Sequence, residues 1–195
     1  MFNDLSSPLS LLTTRRSGKA RDMVAPGPDE AQLRQILTIA ARSPDHGKLA
    51  PWRFVTIAPD QRDILATRLR AIYLADKPDA GRLEIDAVEA FAREAPTMVV
   101  VLSAPVRTSH IPLWEQELSS GAACMNLLSA AHASGFVACW LTGWAAYSEQ
   151  VRDLFGDPGS RIAGFIFIGS PSRPLEERPR PDIDMVASSW KSPVT

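Results

Sequence analysis

"ARSPDHGKLAPWRF", residues 41–54, is where this chain turns from a helix into a strand. Upstream, Leu33, Ile36, Leu37, Ala40 and Ala41 fall on one stripe and Asp29 and Glu30 occupy the first turn, which predicts a helix over residues 29–43. Pro44 disfavours helical geometry in the residue before it and ends that helix. Pro51 sets the entry to "WRFVTIA", whose aromatic and β-branched residues read as a strand. The loop between the prolines is therefore shaped. It carries His46, and arginines flank it at 42 and 53, where a plain connector needs neither.

Working outward, Ser7 and Pro8 form an N-cap and first-turn pair for a helix through "LSLLTTRR", which delivers Arg15 and Arg16 to its C-terminal end. Helices are expected near 60–75 and 80–94, then a buried strand "TMVVVLS". A long helix is predicted over 112–134, with Trp114, Leu118, Ala122, Met125, Leu128 and Ala131 at helical spacing and Gly135 as its stop. "FVACW" reads as a short strand, Ser148 as the cap of a helix ending before Gly156, and "IAGFIFIG" as the last strand. About four strands and six helices in this order give an α+β layered domain with one sheet.

A chain of 195 residues with 45% hydrophobic and 22% charged residues fits one globular domain that buries a core without a structural metal. Residues 1–170 carry the periodic elements. Residues 171–195 hold five of the 16 prolines and read as an extension of the same domain, docked through "DMVASSW". With 21 basic and 22 acidic residues the chain lacks the basic excess of a general nucleic-acid binder. Runs such as "TMVVVL", 97–102, fall far short of the ~20 apolar residues of a membrane span. The N-terminus, with Asp4 and no basic residue in its first ten positions, resembles neither a secretory signal nor a transit peptide, so a cytoplasmic location is expected.

Several chemistries lack their motifs. There is no G-x-G-x-x-G after a strand, no P-loop and no G-x-S-x-G elbow. His46, His110 and His132 are scattered, and Cys124 and Cys139 sit in apolar surroundings, so neither a metal site nor a reactive thiol pair is expected. What stands out instead is three basic clusters at element ends: "RRS" at 15–17, "RSPDH" at 42–46 and "ERPRP" at 177–181. An arginine fork offers paired donors to phosphate oxygens, and Ser17 adds a hydroxyl, although adjacent surface arginines are commonly just solvated.

Taken in order, "RRS", "ARSPDHGKLAPWRF", "LWEQELSSGAACMNLL", "CWLTG" and "GFIFIGSP" resemble the nitroreductase family of flavin enzymes, in its compact bacterial NAD(P)H nitroreductase branch. The resemblance covers nearly the whole chain. It implies a mostly antiparallel sheet flanked by helices, and a homodimer with FMN at the subunit interface and a C-terminal tail reaching the partner. NADH or NADPH would be the reductant and a nitroaromatic or quinone-like molecule the acceptor. By the same resemblance Arg15, Arg16, Ser17, Arg42 and His46 contact the flavin nucleotide. Trp140, Leu141 and Thr142 border the flavin, Gly143 allows close backbone approach, and Arg178 and Arg180 match a basic pair for the phosphate. No side chain is assigned a catalytic role, because the flavin carries the chemistry. Two other readings stand beside this one: a flavin-binding storage or regulatory protein with little turnover, and an enone or semialdehyde reductase of the same fold.

Overall fold

The computed structural model describes residues 1–192. Helix α1 (Pro8–Thr14) starts where Ser7 accepts a hydrogen bond from the Ser10 amide, and it stops one residue before Arg15, which turns out of helical geometry. Arg15 and Arg16 thus lie beyond the helix rather than in its last turn. A two-residue strand β1 (Met23–Val24) follows, too short for any alternation to betray it in the sequence. Helix α2 (Glu30–Ala40) opens on a capping box between Asp29 and Gln32 and ends three residues earlier than its periodicity suggested, because the chain must already turn to reach Pro44.

Strand β2 (Trp52–Ile57) leads to the antiparallel pair α3 (Arg62–Asp76) and α4 (Arg82–Arg93). All seven residues of β3 (Thr97–Ser103) are buried, which accounts for its unbroken apolar run. Helix α5 (Leu113–Ala133) crosses the domain and feeds β4 (Val137–Leu141). The helix expected after the Ser148 cap is the single turn α7 (Glu149–Arg152), which Ser148 does cap, and another single turn not expected from the sequence, α6 (Trp144–Tyr147), precedes it. Strand β5 (Arg161–Pro171) completes the sheet, and α8 (Ile183–Val186) is a single turn in the tail.

Every strand pairing among the described residues is antiparallel, and β5 is the hub: it pairs with β3, with β4 and, through its last two residues, with β1. β2 pairs with β3. Two apolar clusters lie on the two faces of the sheet, one under α3, α4 and α6 and one under α2 and α5, so the domain is a helix–sheet–helix sandwich. The tail beyond β5 docks through Leu175, which packs on the first cluster, whereas Ile183, Met185 and Trp190 are exposed. The extension as read from the sequence includes residues 193–195, which lie outside the described residues.

Candidate active site

The "RRS" turn, the outer edge of β4 and the chain after β5 enclose a cleft of about 450 Å3. Arg15, Arg16, Lys19, Arg173, Arg178 and Arg180 line it, and Val137, Cys139, Trp140, Leu141 and Leu175 give it an apolar floor. The cations crowd one another. Burial first, then the charges of Arg180 and Arg16, lower the pKa of Arg15 from its ordinary value. The carboxylates offered in compensation are loose and exposed: Glu177 stands 3.8 Å from Arg16 Nε, and Glu176 stands 3.8 Å from Lys19 Nζ. Neither distance is a hydrogen bond. Arg16 Nε is buried with no hydrogen-bond partner among the described residues, an arrangement that an incoming acceptor oxygen would relieve.

The floor is built by a bulge. Between Val101 and Leu102 the β3–β5 register skips Ala163, whose carbonyl accepts a hydrogen bond from Trp140 Nε1 at 3.0 Å. The indole reaches it by lying across Gly164, where a Cβ would overlap the ring. Trp140 therefore lies along the sheet at the cleft, half of it packed and 38% exposed.

Thr142 borders a different cavity, one of about 320 Å3 walled by Leu69, Tyr73, Val88, Phe91 and Trp144. Gly143 sits between strand and helix at φ +88°, a left-handed conformation that costs glycine nothing and other residues much more. Segment 140–145 thus has the cation-lined cleft on one side and an aromatic pocket on the other.

Arg42 and His46 do not line the cleft. Their loop is held instead on one face of α5: His46 Nδ1 lies 2.8 Å from Glu115 Oε2, Ser119 Oγ donates to the Pro44 carbonyl, Ser120 Oγ to Pro51, and Asn126 Nδ2 to Ile39. Within the loop Asp45 accepts from the Leu49 and Ala50 amides, and Lys48 and Ala50 are held at positive φ.

His132 is fully buried, and burial pushes both thiols up to about 12, so Cys124 and Cys139 are inert although Cys139 floors the cleft. Among the described residues no group of His, Cys, Asp and Glu forms a metal site, and no helix is long and apolar enough to cross a membrane. Sequence reasoning missed Lys19, two residues past Ser17 in "RRSGK", and Arg173 and Leu175. Contiguity with the first cluster was a signal for Lys19; for the other two only the tail's path over the cleft reveals them.

The profile of the nitroreductase family matches residues 12–170. This chain belongs to that family. A Haemophilus influenzae relative named "Putative NAD(P)H nitroreductase" is 35% identical over 83% of this chain and 87% of its own length. YdjA of Escherichia coli K12, of the same name, is 34% identical over 84% and 87%. Among solved structures, the nitroreductase-like protein of Bacillus cereus superimposes with a TM-score of 0.78 at 20% identity, covering 96% of this chain and 97% of that one. A Desulfovibrio desulfuricans nitroreductase homologue, solved in complex with FMN, gives 0.71 at 22% identity and 96% and 99% coverage. The chain is accordingly an oxidoreductase of the nitroreductase type, and its antiparallel sheet flanked by helices is the nitroreductase-like fold.

Proposed function

We propose that this nitroreductase-family enzyme holds FMN in the cation-lined cleft, takes two electrons from NADH or NADPH, and passes them to nitroaromatic or quinone-like acceptors in the cytoplasm. The observation that carries the proposal is the cleft itself, with one wall of guanidinium groups, a buried Arg16 Nε lacking a partner, and an apolar floor beside it. A phosphomonoester on a flat aromatic ring system presents the complementary set. The FMN-bound D. desulfuricans structure shares the fold and supports the choice of ligand. Bound FMN supplies hydride acceptance at its ring N5 and onward release of two electrons.

In this reading Arg15, Arg16 and Ser17, with Arg178 and Arg180 from the tail, neutralise the phosphate and the polar edge of the ring. Trp140 and Leu141 exclude water from the apolar part, Thr142 opens instead onto the neighbouring aromatic cavity, and Gly143 allows the backbone a close approach. NAD(P)H needs no dinucleotide fingerprint, because the nicotinamide visits a site that the flavin already defines. Arg42 and His46 enter from a second copy of the chain. The exposed apolar stripe of Trp114, Leu118 and Met125 on α5 supports such a dimer, and a Cβ added at Gly121 in the same stripe would come to 4.0 Å from the Trp140 ring, next to the cleft. The tail beyond β5, exposed at Ile183, Met185 and Trp190, reaches across that interface.

The test is an absorbance spectrum of the purified protein from about 300 to 550 nm, repeated without oxygen after adding NADH and then NADPH. Two flavin bands that bleach are expected. Bands that persist would favour storage over turnover, and no bands even after FMN addition would refute the assignment of the cleft.

A further inference from the structure

The arginine at the centre of the cleft is not held by the helix that precedes it. Helix α1 ends at Thr14, Arg15 already has extended geometry, and Arg16 stands on non-helical backbone. What fixes it comes from the other end of the same helix. Asn3 Oδ1 accepts the Arg16 N–H at 2.7 Å, and Asn3 Nδ2 donates to the Arg16 carbonyl at 3.2 Å, so one side-chain amide satisfies both main-chain groups as a neighbouring strand would. The Asn3 amide donates to the Thr14 carbonyl at 3.1 Å, and the Asp4 amide to Thr14 Oγ1 at 2.9 Å. Residues 3–4 and 14–16 thus form a clasp across the whole of α1.

Asn3 is suited to this place in two independent ways. Its φ of +53° is a left-handed conformation in which asparagine is enriched several-fold over other non-glycine residues. Its amide is the one short side chain that both donates and accepts in a plane. From the opposite side the buried ring of His132 packs against the same Arg16 carbonyl, with Nε2 3.2 Å from it and Nδ1 2.6 Å from the Leu128 carbonyl; an uncharged ring donates to one of the two, and the shorter contact is the one to Leu128. The Arg16 guanidinium, in turn, hydrogen-bonds among the described residues through Nη1 to the Ser17 carbonyl, and its buried Nε, with Glu177 3.8 Å away, is left without a hydrogen bond. With both main-chain groups of Arg16 gripped by Asn3, the direction of that side chain is set before any ligand arrives.

We propose that Asn3 is a positioning residue for the cleft: by gripping both main-chain groups of Arg16 it pre-organises the guanidinium for an anionic ligand. Pre-organisation raises affinity by removing the ordering that binding would otherwise impose. This rests on the flavin reading of the cleft for its consequence, but not for the clasp itself, and the two are measured separately.

The first measurement is amide hydrogen exchange by NMR on the ligand-free protein. Asn3→Gly keeps the left-handed backbone and deletes the amide, and it is expected to speed exchange of the Arg16 N–H by at least about tenfold. Asn3→Asp retains the acceptor and is expected to keep that N–H protected. The second is FMN titration by flavin fluorescence. Asn3→Gly is expected to raise Kd about tenfold while the thermal midpoint of the ligand-free protein stays within a few degrees of wild type. Unchanged exchange at Arg16 in Asn3→Gly would overturn the clasp. Faster exchange with unchanged FMN affinity would overturn its positioning role. If wild type itself binds no FMN, the cleft assignment fails and, with it, the role given to Asn3, while the exchange data still decide whether the clasp exists.

Discussion

Arg16 concentrates the electrostatics of the cleft in one side chain that is 17% exposed and 3.8 Å from its nearest carboxylate. Truncation to alanine removes charge-assisted hydrogen bonds to the ligand, and Arg16→Ala is expected to weaken FMN binding by about 1.5–3 kcal/mol, read by fluorescence titration. An unchanged affinity would remove Arg16 from the site. Gly164 governs the opposite wall. Gly164→Ala puts a methyl group where the Trp140 indole lies, so the ring must leave the Ala163 carbonyl or the strand must shift. The expected result is a loss of about 1–3 kcal/mol in denaturant unfolding together with an altered tryptophan emission spectrum. At this scale the sequence was half legible. Arginines at 15, 16, 178 and 180 announce themselves as basic clusters at element ends. Asn3, Gly164 and Leu175 do not, because their meaning lies in contacts with residues far along the chain, and no local pattern encodes a clasp or a close approach.

Helix α5 does two jobs with its two faces. One is apolar and buries Ala123, Cys124, Leu127 and Ala131 against the sheet, and the other presents Glu115 and Ser119 to the loop after α2 and Asn126 to the last turn of α2 itself. His132, in its last turn, has its pKa lowered from 6.5, chiefly by burial. The native state therefore binds this proton less readily than the unfolded chain. The contribution of His132 to stability is complete above about pH 6.5 and is lost as the pH falls through that value toward the lower native one. Denaturant midpoints measured from neutral pH into mild acid should fall in wild type and fall less steeply in His132→Phe, which has nothing to titrate there; equal slopes would show that the ring is not held uncharged. The longer elements were readable from caps and periodicity: Ser7–Pro8, the acidic first turn at Asp29 and Glu30, and the buried run of β3 all signal locally. Their ends were less so. Pro44 acts on the chain before it through the turn it requires, and β1 owes its existence to two residues of β5 rather than to its own sequence.

For the molecule as a unit, the exposed stripe on α5 and the tail with Met185 and Trp190 exposed are surfaces that a solitary chain leaves wet. Leu118, 53% exposed at the middle of the stripe, is the place to test the dimer. Leu118→Glu is expected to leave folding intact, shift the sedimentation coefficient to that of a monomer, and reduce flavin retention in the same step, since Arg42 and His46 would no longer be supplied from a second copy. A monomeric variant that retains flavin like wild type would show that one chain suffices. The hub position of β5 carries a further implication, for synthesis. β5 covers residues 161–171, yet β1, β3 and β4 all depend on it for pairing, with Thr97 meeting Ile168 across some seventy residues of chain. Until residue 171 has emerged from the ribosome, β3 has β2 on one edge and nothing on the other, and a strand destined for complete burial stands open to whatever is nearby. That interval is the one in which the nascent chain is most open to edge-to-edge aggregation.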